Sequence, residues 1–139
     1  MNFTSPLKLF ILVGSHSVNS VYNRVLTPVL PLIAMDFNLN YAQVGLIVAA
    51  YSVGNSLFQF PISFAADYTG RRRLVLVSSL ILNALPVLFF GWAWSYSLVV
   101  FLVFLSGIGG SAFHPTAVAM VAETAPERRG YAMGLFKAG

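Results

Sequence analysis

The chain has no cysteine and very few charges, and the two shortages exclude different things. Without cysteine there is no disulfide framework and no cysteine-based metal site, and the redox compartment stays open. Charged residues make up 9% of the 139 residues, against about a quarter in an ordinary soluble domain. Nothing alternates apolar and polar residues with a period of two over barrel-length segments. Open sheet edges are not tolerated in hydrocarbon, so strands can be set aside. No ATP-binding loop, metal-ligand cluster or nucleophile–base set occurs, so the sequence points to no enzyme and no cofactor.

What is present is apolar: 58% hydrophobic residues and a mean hydropathy of +0.78. The charges, Lys8, Arg24, Asp36, Asp67, Arg71 to Arg73, Glu123, Glu127 to Arg129 and Lys137, divide the chain into apolar stretches of about 20 residues or more. The expected fold class is therefore all-α, a polytopic membrane protein with four transmembrane helices at about 9–34, 42–66, 74–94 and 98–122. Asn40 followed by Gln43 reads as a capping pair opening the second span. Thr124 with Glu127, and Pro126 in the first turn, reads as a capping box opening a further helix from about residue 125. Only nine residues follow Gly130, so the sequence reads as interrupted before a fifth span is complete.

A net charge of +4 in a soluble protein would suggest nucleic acid, but here the basic residues gather at span ends. Arg71 to Arg73 lie between the second and third spans, and Arg128 and Arg129 follow the fourth. The other two connections, at 35–41 and around 95–97, contain no Lys or Arg. The positive-inside rule then places Lys8, both basic loops and the N-terminus in the cytoplasm of a multi-pass protein of the plasma, or inner, membrane, with lipids and not nucleic acid as partners. The first apolar run is too long for a cleaved signal peptide and contains Arg24, Pro28 and Pro31. Asn2-Phe3-Thr4 matches a glycosylation acceptor, but on the expected cytoplasmic side.

The loop "DYTGRRR", residues 67–73, resembles the signature loop between helices 2 and 3 of the major facilitator superfamily, usually written G-x-x-x-D-R-x-G-R-R. Asp67, Gly70, Arg71 and Arg72 match it, and Arg73 extends the basic run. Ser63 stands at the family's first glycine and Tyr68 at its first arginine. "PERRG" at 126–130 is similar to the family's next inner loop. "GIGGSAFHP" at 107–115 and "SHSVNSVYNRVLTPVLP" at 15–31 resemble helices 4 and 1 of members like the fosmidomycin-resistance exporters. The resemblance implies that the loop, with Asp67 foremost, helps to lock an inner gate. It also implies that the chain is the N-terminal part of a twelve-helix bundle whose C-terminal part is its partner. Val103 stands where many proton-coupled exporters carry an arginine, and Ser20 where relatives often have aspartate, which argues against proton-coupled drug export.

Polar residues inside the spans mark the expected substrate path. His16, Asn19, Ser20, Asn23 and Thr27 fall within an arc of about 100° on the first helix, with Arg24 at its edge. An arginine within a span turns toward the bundle interior or a water-filled cavity, snorkels to the interface, or pairs with an acid of the helices expected to follow. Tyr51, Asn55 and Gln59 form a second polar ridge, with interhelical hydrogen bonding the default use. Ser106, Gly107, Gly110 and Ser111 are spaced for close helix approach. His114, beside Pro115, could relay protons or bond a neighbouring carbonyl. Pro61, Pro86 and Pro115 read as kinks. The third span, polar only at Ser78, Ser79 and Asn83, is the expected lipid-facing one.

These readings lead to a secondary transporter moving a small-molecule substrate by alternating access, its path lined by His16, Asn19, Asn23, Arg24, Tyr51, Asn55 and His114. One alternative is a self-contained four-helix protein acting as a dimer. Small multidrug exporters of that kind depend on a glutamate in the first helix, and none is present. A scaffold or inactive piece with no transport role is the other.

Overall fold

The computed structural model describes residues 5–138, so the Asn2 acceptor lies outside the described residues. Helix α1 spans Ser5–Asp36, α2 Tyr41–Thr69, α3 Arg72–Leu88, α4 Tyr96–Ser111, α5 Phe113–Thr124 and α6 Arg129–Ala138. Single 3-10 turns occupy Phe90–Trp92 and Pro126–Arg128. No strand occurs among the described residues.

The boundaries follow local chemistry. Helix α1 closes on Asn38, which takes a left-handed φ of 49°. The Leu39 amide bonds back to the Ala34 carbonyl and the Asn38 amide to that of Met35, the paired bonds of a Schellman ending, with asparagine in glycine's usual place. Asn40 and Gln43 then form the expected reciprocal cap, each side chain accepting from the other's backbone amide at 2.9 Å. Gly70, at φ 65°, ends α2. Ser95 caps α4 by accepting from the Leu98 amide at 3.3 Å.

The fourth expected span is two helices meeting at Ala112. Pro115 has no amide hydrogen to offer the Ser111 carbonyl, which is where α4 stops. The expected capping box at Thr124 does not form. Its hydroxyl donates back to the Met120 carbonyl inside α5, and the following 3-10 turn has no side-chain cap.

Among the described residues three stretches are long and apolar enough to cross a membrane: Tyr41–Thr69, Arg72–Trp92 and Tyr96–Thr124. Helix α1 has the length, at 32 residues, but its polar stripe of His16, Asn19, Ser20, Asn23 and Arg24 dilutes its apolar character. The share of the apolar stretch buried among the described residues is 11% for α2 and 22% for α3, so both helices expose most of their apolar surface there, α2 the more. Helix α3 turns Leu76, Ser79, Asn83 and Pro86 inward.

The packing is layered. One apolar cluster joins Leu12, Leu76, Phe113, Val121 and Phe136 near the arginine-rich loop. A second joins Ile33, Ile47, Val99 and Val103 toward the opposite end. Between them, on every helix that contributes, lies a polar layer. Outside, large apolar side chains such as Phe10 and Phe60 stand 74% and 79% exposed, as a lipid-facing surface requires. Tyr41, Trp92 and Trp94 are exposed at one end of the bundle and Tyr68 and Tyr131 at the other, the arrangement of aromatic belts at two membrane interfaces.

Candidate functional site

The polar layer centres on Asn83 of α3, which is fully buried. Its Nδ2 donates to Oδ1 of Asn19 at 3.1 Å and Oδ1 of Asn23 at 2.9 Å, both on α1. Its Oδ1 and its backbone carbonyl accept from the Ser106 hydroxyl of α4 at 2.7 and 3.1 Å. The Tyr51 hydroxyl of α2 donates to Oδ1 of Asn23 at 2.8 Å, and Asn55 Nδ2 to the Gly107 carbonyl at 3.4 Å. One side chain thus ties α1 and α4 to α3, and Tyr51 adds α2.

Glycine makes these reaches possible. A Cβ on Gly107 would stand 2.3 Å from the Tyr51 carbonyl oxygen, and one on Gly54 would stand 2.4 Å from that of Phe104, so α2 and α4 touch backbone to backbone. A Cβ on Gly109 would lie 2.2 Å from the Asn83 amide nitrogen, which fixes the distance between α3 and α4.

The expected path residues divide. Asn23 and Tyr51 bond each other, Asn19 and Asn23 accept from Asn83, and Asn55 donates to backbone, while the buried Nδ2 of Asn19 has no partner among the described residues; Arg24 is exposed and in no ion pair among them. His16 is half-buried, with its ring centroid 4.5 Å from that of Phe136 and 5.6 Å from that of His114, and its Nδ1 has no hydrogen-bond partner among the described residues. His114 is exposed. The sequence pattern separated Asn83 from the path, and its position as hub comes from α3 crossing α1 and α4 at that level.

The second constellation is the charged end. Arg72, at the start of α3, donates to Asp67 through Nε at 2.9 Å and through Nη2 at 2.8 Å, and Nη1 is paired with Glu123 near the end of α5. Among the described residues both ion pairs belong to Arg72. Asp67, Gly70, Arg71, Arg72 and Arg73 of the signature loop, together with Glu123, line a cavity of about 630 Å3. Glu123 escaped the sequence reading, although it is the one acid near the end of the fourth apolar run.

The sequence profile of the Major Facilitator Superfamily matches residues 12–139. The chain belongs to that superfamily. It is 27% identical over 126 residues to the Fosmidomycin resistance protein of Escherichia coli (strain K12), an alignment covering 90% of this chain and 30% of the relative. It is 33% identical over 106 residues to the Probable sulfoacetate transporter SauU of Cupriavidus necator, covering 76% of this chain and 24% of the relative. To the Probable nitrate transporter NarT of Staphylococcus aureus (strain MRSA252) it is 24% identical over 115 residues, covering 83% and 29%. The chain therefore spans about a third or less of the length of these relatives. No solved structure matches it. As members of this superfamily form membrane helix bundles, the exposed apolar faces and aromatic ends belong to a membrane-embedded protein.

Proposed function

We propose that the chain forms the N-terminal helices of a secondary transporter that moves a small anionic or strongly polar solute by alternating access, in the inner membrane. The observation that carries this reading is the three-way link of Asp67, Arg72 and Glu123. It joins the α2–α3 loop to the end of α5 at the arginine-rich end, through exposed ion pairs weak enough to break and re-form in a cycle. Helix α1 crosses as a fourth span with Asn19 and Asn23 turned toward α3 and Arg24 at the exposed edge of the stripe, and the positive-inside rule puts the N-terminus and both basic loops in the cytoplasm. The buried asparagines hold the helices together. Arg24, exposed on α1, offers a cation to the solute, and His114, also exposed, is another titratable side chain of the proposed path. Two relatives are named for sulfoacetate and nitrate, both anions, in keeping with an arginine in that position.

The test is transport by the full-length protein in proteoliposomes, with labelled sulfoacetate and nitrate as first substrates. Arg24→Lys keeps the charge and loses the two-pronged guanidinium contact. It is expected to raise KM several-fold, and Arg24→Gln to raise it at least about tenfold, which corresponds to about 1.4 kcal/mol of lost binding. Unchanged KM and rate in both variants eliminate Arg24 from the path. For orientation, a cysteine at Ser97 should react with an impermeant reagent from outside and one at Thr69 should not. The reverse pattern overturns the topology.

A further inference from the structure

We infer that the charged end holds one anionic phospholipid, its headgroup phosphate between Lys8 of α1 and Arg73 of α3 and one acyl chain in the groove beside them. Two cavities meet at this point. The polar one, of about 630 Å3, is lined by four basic and two acidic side chains. Both acids are paired with Arg72, which leaves Lys8, Arg71 and Arg73 with no ion-pair partner among the described residues. The second cavity, of about 200 Å3, is walled by Ile11 and Leu12 of α1 and Leu76 and Val77 of α3. The two share Lys8, Arg73, Met120 and Thr124, so the cations stand where the polar space becomes apolar.

That order, cation pair first and hydrocarbon wall next, is the order of a phospholipid entering from the interface. A free phosphate would use the polar half alone. Ile11 and Val77 are 49% and 52% exposed, so among the described residues the groove is open to the side, where a lipid tail would enter. Ordinary attraction of basic loops to an anionic leaflet needs no groove; here the groove sets one position and one stoichiometry. Binding requires the bundle in a bilayer or its mimic but no transport cycle, so an Arg24→Gln protein with a raised KM should still retain the lipid.

The experiment is native mass spectrometry of the detergent-solubilised full-length protein, titrated with palmitoyl-oleoyl-phosphatidylglycerol, with phosphatidylcholine of the same chains, and with inorganic phosphate. One phosphatidylglycerol is expected to stay bound, in preference to phosphatidylcholine and undisturbed by inorganic phosphate. Losing a basic residue near an anionic headgroup costs about fivefold in affinity, so the double variant Lys8→Gln, Arg73→Gln should bind on the order of twentyfold more weakly. Val77→Trp fills the groove and leaves every charge in place. Displacing even one buried methylene should cost about fourfold. Arg73→Lys keeps the charge and should stay within about twofold of wild type, which separates lost charge from lost fold. Equal retention of the two lipids, displacement by inorganic phosphate, or wild-type affinity in both the double variant and Val77→Trp each overturns the assignment.

Discussion

The middle of the bundle and its charged end join helices by opposite means. At the middle, buried Asn83 and Ser106 and half-buried Asn23 and Tyr51 bond one another, behind glycines that bring backbones into contact. At the end, Arg72 joins Asp67 and Glu123 in the open, each acid side chain 64% exposed. A polar group stripped of its partner inside the bundle has no water to turn to, whereas an exposed ion exchanges its partner for solvent at little cost. The first region holds its partners and the second can exchange them for solvent, which is the contrast that the proposed alternating-access cycle calls for.

Breaking the seam should have the largest effect. Gly107→Val would drive a side chain into the Tyr51 carbonyl, with no flexible tip to yield, and should cost about 1–3 kcal/mol or more from overpacking. Thermal unfolding of the purified full-length protein should show a large fall in Tm. Gly14→Ala is the control, since its Cβ meets nothing within 4 Å, and should hold or raise Tm because alanine favours helix over glycine. Equal behaviour of the two variants would mean that α2 and α4 do not touch as described.

Asn83→Leu should come next. It removes three side-chain bonds, to Asn19, Asn23 and Ser106, each worth about 0.6 kcal/mol between membrane helices, for a loss of about 2 kcal/mol. Unfolding in denaturing detergent reads it, and an unchanged midpoint would remove Asn83 as the hub. Arg72→Gln sharpens the comparison from the other side. It should change stability by less than about 1 kcal/mol, and that small change should disappear at high salt. Its effect should appear instead in the distribution between inward-open and outward-open forms, followed by accessibility of a cysteine at Thr69. A stability loss as large as that of Asn83→Leu would place the charged end in the same class as the seam.

Much of the layout was legible along the chain. Apolar runs separated by charges marked the helices, and Asn40 with Gln43 marked a start, because both signals are local. Thr124 carried the same local signal and failed, since its hydroxyl found the Met120 carbonyl a turn back, a bond open to any threonine in a helix. The end of α1 at Asn38 was hidden because asparagine enters the left-handed region only where the chain on either side demands it. In the site, the signature-loop residues stood out as a charge cluster between apolar runs and by their resemblance to a family motif. Glu123 did not, because its partner Arg72 lies 51 residues away.

Composition and order along the chain decided that this protein is helical and apolar, where its helices run, and which superfamily it belongs to, because burial in hydrocarbon leaves each segment to satisfy its own backbone hydrogen bonds. Which polar side chains meet was decided only when the helices packed. Asn19 and Asn83 are 64 residues apart, and nothing near either names the other. Gly109 places the backbone of α3 against α4, Gly107 and Gly54 do the same for α2, and those contact distances select Asn83 to bridge to α1. Without water to compete, a polar group bonds whatever the packing sets within about 3 Å, so the tertiary contacts chose the partners.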